Sequence, residues 1–292
     1  VDIDTEKSRH KMVMGEIEAL RMKRQQKFAD QPHPSLKRFT QQELNDEAFL
    51  SYKNLLVGRT RRIPNRQTII HIADYLECTS DERNDLLLAA GYLPIQIELE
   101  GRSLERALEW AQQTMRSIPF PSMIVTNTQD IKGVNEPFRH LFDIPLDRSY
   151  DALMNRVDFH FNSDLPIRPR STFDKSSFKQ WEQHAKNGIH TFKREHMLSR
   201  YDAWYQKLFD RVQKYNVDEY LNGPDAEAVV DHTQTILARM KSAGELIPIR
   251  YRQVSISEGS RLYPQIEVFL PVDSAARTVF EALGCPTDCA FL

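Results

Sequence analysis

The sequence predicts a protein that is mainly α with an α/β second half, divided into two domains at 1–96 and 97–292. Three observations carry that expectation. Helix caps and helix stops follow one another at short intervals from Thr40 to Gly91, with no strand-like alternation between them. After Pro119 the pattern changes, and Pro121-Ser122-Met123-Ile124-Val125-Thr126-Asn127 is an apolar run of strand length. Far downstream, Leu246–Ile256 and Leu262–Val272 read as two more strands, joined by a turn at Ser257-Glu258-Gly259-Ser260.

The first half reads as five helices. Asp4 to Phe28 is amphipathic, with Met14, Ile17, Leu20 and Phe28 on its apolar side, Arg21 on its polar side, and Pro32 and Pro34 ending it. Thr40-Gln41-Gln42-Glu43 is a capping box, so a second helix starts at Gln41 and turns Leu44 inward. A third runs from about Phe49 to Val57, with Tyr52, Leu55 and Leu56 partly toward the core and Gly58 as its stop. Pro64 and Asn65 open a fourth through about Glu77, apolar at Ile69, Ile70, Ile72, Ala73 and Leu76. Thr79-Ser80-Asp81-Glu82 is another capping box and starts a fifth, which stops at Gly91. The second and third helices form a helix-turn-helix within this bundle.

Charge gives the bundle a direction. Between Ala48 and Ala73 there are five Lys/Arg and no acid, in a chain whose formal net charge is −2. A short helix followed by a glycine stop and a knot of arginines suits a reading helix with a phosphate clamp on double-stranded DNA. In that reading Ser51, Tyr52, Lys53 and Asn54 approach base edges, and Gln41 and Gln42 lie near the backbone. Arg59, Arg61, Arg62 and Arg66 then meet phosphates. The competing reading is an ordinary solvated basic face.

Three stretches resemble the XRE-type helix-turn-helix of bacterial and phage regulators: Phe39-Thr40-Gln41-Gln42-Glu43-Leu44, the Leu56…Gly58-Arg59…Arg62…Pro64 junction, and Asp81-Glu82-Arg83…Leu86-Leu87…Ala90-Gly91. The resemblance covers about Leu36–Pro94. Two departures stand out. Asn45-Asp46-Glu47 occupies the turn where a glycine is usual, and Leu56 and Val57 stand where polar residues often precede the stop.

The second half begins with a helix at Arg102–Ser117, apolar at Leu104, Leu108, Trp110, Ala111 and Met115 and placed to link the halves. The strand at Pro121–Asn127 is followed by a turn at Thr128–Asp130, a short strand at Ile131–Val134 and a helix opened by Asn135 with Pro137 in its first turn. Ser163–Ser171 reads as a loop, and Ser177–His190, Arg194–Tyr215 and Asp225–Ser242 read as long helices. The last strand alternates Leu262, Ile266, Val268 and Leu270 on one side, a half-buried pattern.

Pro119-Phe120-Pro121-Ser122-Met123-Ile124-Val125, with Asn135 and Leu141-Phe142, resembles the MmyB-like ligand-binding domain, which follows an XRE-type bundle in its family. That resemblance implies a PAS-like fold with a bound fatty acid and no further required cofactor. The expected pocket is apolar, lined by Met123, Val125, Phe138, Phe142, Trp181, Tyr201, Trp204, Phe209 and Val268. Arg250, Tyr251, Arg252, His190 and Arg194 are the candidates for the carboxylate. For any one of these aromatic residues, a plain core position is the alternative.

Other classes find little support. There is no Gly-x-Ser-x-Gly, Walker loop, Gly-x-Gly-x-x-Gly or His-Glu-x-x-His, so the chain is not expected to be an enzyme. PAS-like domains can hold haem, but the second-half histidines, including His160, His184, His190 and His196, are scattered. No apolar run approaches a membrane span or a secretory signal. Cys78, Cys285 and Cys289 are too few for a disulfide framework, and the expectation is a cytoplasmic protein with inert thiols. Because one helix-turn-helix reads only a few base pairs, a homodimer is expected, joined through the Arg102–Ser117 helix or the second domain. The alternative is a DNA-binding adaptor whose second domain binds a protein partner rather than a small molecule.

Overall fold

A computed structural model describes residues 3–60, 62–95, 98–144, 154–215, 233–240, 244–257 and 262–286. The fold is mixed α and β, with a five-stranded antiparallel sheet. Two compact units divide the chain. The first comprises Val1–Ile97 together with His196–Gln206, and the second Glu98–Glu195 together with Lys207–Leu292.

In the first unit, α1 (Ile3–Lys27), α2 (Gln41–Glu47), α3 (Tyr52–Leu56), α4 (Arg66–Tyr75) and α5 (Ser80–Ala89) follow in order. Thr40 and Thr79 form full capping boxes with Glu43 and Glu82, as their Thr-x-x-Glu spacing predicts. Ile17, Phe39, Leu44, Tyr52, Leu55, Ile69, Ile72, Leu76 and Leu86 are fully enclosed in one apolar core. Arg21 departs from its expected place on a polar side, and both it and Arg24 are buried. Their guanidinium groups serve carbonyl oxygens left over by neighbouring turns: Arg21 donates to Phe39 at 2.9 Å, and Arg24 donates to Leu76 at 2.8 Å and Glu77 at 3.1 Å. A buried carbonyl without such a donor costs about 1–3 kcal/mol, which is why these two cations sit inside.

Glu18 and Glu82 balance those cations. Burial pushes both carboxyls upward. Hydrogen bonds outweigh it and hold each below its ordinary 4.5: Arg21, Tyr52 and Gln41 donate to Glu18, and Lys23, the Thr79 amide and Arg24 to Glu82. A carboxyl depressed on folding stabilises the fold above its unfolded value and loses that contribution as pH falls through the folded one. The thermal midpoint of the first unit is therefore expected to hold above the ordinary carboxyl value of 4.5 and to drop as pH falls below it. Glu82→Gln should flatten that drop in a scan by circular dichroism, and an unchanged profile would remove Glu82 from the account.

His196–Gln206 is a strap completing this unit. Its Asp202 accepts the Ser80 amide at 2.7 Å and the Ser80 hydroxyl at 2.6 Å, at the start of α5. Arg83 donates to the Leu198 carbonyl, Arg200 pairs with Asp74, and Leu198 packs against the core. The strap also breaks the single helix expected over Arg194–Tyr215. The chain runs instead as α10 (Lys175–Glu195), a short 3-10 turn (Met197–Ser199) and α11 (Ala203–Gln213).

The second unit opens with α6 (Gly101–Arg116), β1 (Ser122–Val125), β2 (Ile131–Val134) and α7 (Glu136–Leu141). Asn135 binds them together. Its side chain caps the Phe138 amide at 3.1 Å, accepts the Ser122 amide at 2.9 Å and donates to the Phe120 carbonyl at 2.7 Å. Next come α8 (Arg156–Phe161) and α9 (Ile167–Ser171), the latter a short helix where a loop was expected. After α10 and α11 come β3 (Thr233–Arg239), β4 (Leu246–Ser257), β5 (Gln265–Pro271) and α12 (Ser274–Ala282).

The sheet order is β2-β1-β5-β4-β3, antiparallel throughout. Its edge strand β3 corrects the expectation of a helix over Asp225–Ser242. Thr233, Thr235 and Ile236 are β-branched, and Ile236 pairs with Ile249 across a continuous ladder to β4. Residues 225–232 and 241–242 of that expected helix, and the turn residues 258–260, lie outside the described residues. β5 is central, so Ile266, Glu267, Val268 and Phe269 are all buried rather than alternately exposed. Leu262 lies before the strand and is exposed. No helix among the described residues is long and apolar enough to cross a membrane.

Candidate nucleic-acid interface

Three local devices shape the surface after α3. Gly58 adopts a left-handed φ of 74°. Its amide donates to the Leu55 carbonyl at 3.1 Å and the Arg59 amide to Asn54 at 2.9 Å, a Schellman stop. A Cβ on Gly58 would meet nothing within 4 Å, so the backbone conformation alone asks for glycine there. Asn65 then caps α4, accepting the Thr68 amide at 2.9 Å. A second Schellman stop at Gly91 turns Tyr92 back, and its hydroxyl donates to the Pro64 carbonyl at 2.9 Å. A Cβ on Gly91 would lie 3.1 Å from the Arg9 guanidinium, which can give way, so it is the left-handed φ of 81° that asks for glycine there.

These turns enclose an open cleft of about 650 Å³, whose lining includes Ser51, Asn54, Arg59, Arg62, Asn65 and Tyr92. The sequence points to the first four of these as DNA contacts. Asn65 and Tyr92 were legible only as a cap and a residue after a stop. Nothing in the sequence places the end of α5 beside the end of α3. Ser51, Lys53, Asn54, Arg59, Arg62 and Arg66 are exposed, and among the described residues Arg59, Arg62 and Arg66 have no acidic partner. Arg66 opens α4, at the positive end of its dipole. A cation at that end is unfavourable until an anion joins it.

Three of the expected contacts need correction or restriction. Tyr52 does not reach a base edge: it is fully buried, and its hydroxyl donates to Glu18. Burial and the Glu18 charge push its phenol far above the ordinary range, so it remains a neutral donor. The reason is helical geometry. Tyr52 and Leu55, three apart, share the inward side of α3. Gln41 is half-buried and donates to Glu18 at 3.0 Å, so it serves the fold, whereas Gln42 is exposed and accepts from Lys53. Arg61 lies outside the described residues.

The residues expected to line a pocket in the second unit separate into several places. Strand alternation and register put Met123, Val125, Tyr251 and Phe269 on one face of the sheet. Val268, Arg250 and Arg252 lie on the other, and the two arginines are exposed. One pocket between the strands therefore cannot take all of them. Phe138, Phe142, Phe159 and Phe269 pack ring to ring at centroid distances of 4.6 to 5.6 Å, and Tyr251 joins Phe269 at 5.3 Å. Phe209 packs in a smaller cluster with Val157, Leu208 and Val212. Tyr201 and Trp204 belong to the strap of the first unit.

Trp181 packs in a different setting, against His160, Phe161 and Phe178. Its ring stacks on His160 at 5.1 Å, and the Arg168 guanidinium lies 3.4 Å from its centroid. Burial, then the His184, Arg156 and Arg168 charges, hold His160 well below the usual histidine range, so it is neutral. Gln234 links the Tyr251 hydroxyl, at 3.1 Å, to the His184 ring at 2.9 Å. Glu267 is buried on the same face as Tyr251. Burial raises its carboxyl, opposed by Arg156 at 2.6 Å and by Gln265 and Gln253. Burial likewise pushes the Cys78 thiol up to about 12 and Cys285 to about 11, so neither is a ready nucleophile. Cys289 lies outside the described residues.

Comparison with protein-family models finds no match to this chain, and comparison with curated proteins finds none.

Proposed function

We propose that this chain is a DNA-binding transcriptional regulator, with an XRE-type helix-turn-helix bundle and a PAS-like, MmyB-like second domain responsive to a fatty acid or similar lipid. The observation that carries the DNA-binding reading is the cleft at the start of α4. Arg59 and Arg62 line it and Arg66 follows at the start of α4, all exposed and without acidic partners among the described residues, and Ser51, Lys53 and Asn54 are exposed at the neighbouring α3. Backbone phosphates supply the missing anions, and the α3 side chains supply donors and acceptors for base edges in a major groove. No catalytic step is part of this reading, and its setting is the cytoplasm.

The adaptor reading draws support from a specific observation. Of the aromatic side chains expected to line an acyl tunnel, Phe138 and Phe142 pack against each other and against Phe269 in the second unit. An acyl chain of the expected kind would have to part those rings or enter elsewhere, for instance beside Trp181 and Gln234. Dimer formation is proposed on operator geometry. The apolar positions Leu108, Trp110, Ala111 and Met115 of α6 pack against the core of their own unit and do not call for a partner.

The test is selection of bound sequences from a random DNA pool, with light scattering of the free and bound protein. The expected product is a pseudo-palindrome with half-sites about 10 base pairs apart, bound by two copies, with affinity falling steeply as salt rises. Failure to enrich any sequence at about 0.15 M salt would sink the DNA-binding reading. Native mass spectrometry and titration with fatty acids of graded length decide the effector. A protein indifferent to every chain length leaves the adaptor reading in its place.

A further inference from the structure

The outward side of α3 carries more than polar groups. Lys53 and Asn54 are exposed on α3 while Tyr52 and Leu55 face the core; Leu50 stands just before the helix's N-cap, Ser51, and Val57 is its C-cap. A three-residue turn, in which the Tyr52 amide donates to Phe49 at 2.8 Å, leads from Leu50 into the helix. Leu50 is 79% exposed and Val57 66% exposed. An exposed aliphatic side chain thus flanks each end of α3, with the exposed polar Lys53 and Asn54 between them.

A single exposed aliphatic residue needs no explanation, but this pair brackets the two polar side chains best placed to meet bases. Arg59 and Arg62, exposed, line one cleft with Ser51 and Asn54 of the same segment, so a polyanion is the occupant that charge complementarity selects, and an apolar protein partner would leave those cations desolvated. On a duplex the apolar group offered in the major groove is the thymine C5 methyl. We infer that Leu50 and Val57 read thymine methyls on either side of the bases met by Lys53 and Asn54. The inference rests on the DNA-binding reading and adds the determinants of its sequence preference. It also gives a use to Val57, which stands where related patterns carry a polar residue before the stop.

The experiment uses the full chain and the operator enriched from a random pool, with each thymine of the half-site replaced in turn by deoxyuridine, which lacks only the methyl. At the one or two contacted positions, affinity is expected to fall about fourfold, the equivalent of ~0.8 kcal/mol for one buried methyl-sized group. Leu50→Ala and Val57→Ala should each abolish the discrimination at one position while leaving the salt slope and thermal midpoint unchanged. Both side chains are exposed, so the variants keep the fold. An operator without thymine in its half-sites overturns the inference. So does equal binding of thymine and deoxyuridine operators, or discrimination that survives both substitutions. Absence of binding to any DNA overturns the DNA-binding reading as well, which separates the two failures.

Discussion

Replacing Arg59, Arg62 and Arg66 together by alanine is expected to weaken binding to every DNA sequence while leaving the fold intact. Each is exposed, and none is tied to an acid among the described residues, so removal breaks no buried network. If each neutralises one phosphate, the slope of log affinity against log salt should flatten by about 0.9 per contact, close to three units per protomer. The loss should be largest at low salt and the same for operator and random DNA, because phosphates carry no sequence information. The thermal midpoint should hold or rise slightly. Arg66 stands at the positive end of α4, where a cation without an anion costs about 0.3–1 kcal/mol. A slope unchanged by the triple replacement would take these arginines out of the interface, and a loss confined to the operator would make them base readers instead.

The contrast between those arginines and Arg21 and Arg24 explains how far the site was legible in the sequence. A run of cations without acids is a local signal, and it reports correctly that Arg59, Arg62 and Arg66 are solvated. Whether a cation on a long helix points outward depends on what stacks against that helix, which no local pattern contains. Arg21 and Arg24 are buried because carbonyls at Phe39, Leu76 and Glu77, 18 to 53 residues away, need donors. Tyr52 was half legible. The spacing of Tyr52 and Leu55 shows an inward side, but a tyrosine beside Lys53 and Asn54 also resembles a base-reading residue, and burial decides against it.

In the second unit the strands with clear alternation or flanking turns were readable, and β2 falls on Ile131–Val134 as expected. The element β3 is an edge strand in which only Ile236 and Ala238 are buried, an alternation too short to distinguish it from an amphipathic helix in sequence. The face assigned to each pocket residue was less legible still. Register between strands far apart in sequence fixes that Val268 and Tyr251 lie on opposite faces, and a one-residue change in register would have reversed the answer. The strap was invisible for a related reason. Its anchor is the meeting of Asp202 with Ser80, 122 residues apart, and neither residue is unusual in its own surroundings.

Asp202→Ala should then be among the more destabilising single changes in the first unit. The carboxylate is buried and accepts both the amide and the hydroxyl of Ser80, at 2.7 and 2.6 Å. Hydrogen bonds to a charged group contribute about 1.5–3 kcal/mol each, and a negative charge at the start of α5 adds a favourable dipole term. Water will satisfy part of what the substitution frees, so the expected net cost is about 3 kcal/mol rather than the sum. The loss also falls on Arg83, which burial disfavours as a cation and which the Asp202 charge helps to hold. Asp202→Asn keeps one acceptor and the shape, and should cost less than half as much. Denaturant unfolding of Asp202→Ala, Ser80→Ala and the double variant gives the coupling directly, because residues in contact are non-additive where distant ones are not. A coupling of about 1 kcal/mol or more is expected. Additive single effects would mean that the strap is held by Arg200 and Leu198 instead, with the Asp202–Ser80 contact contributing little.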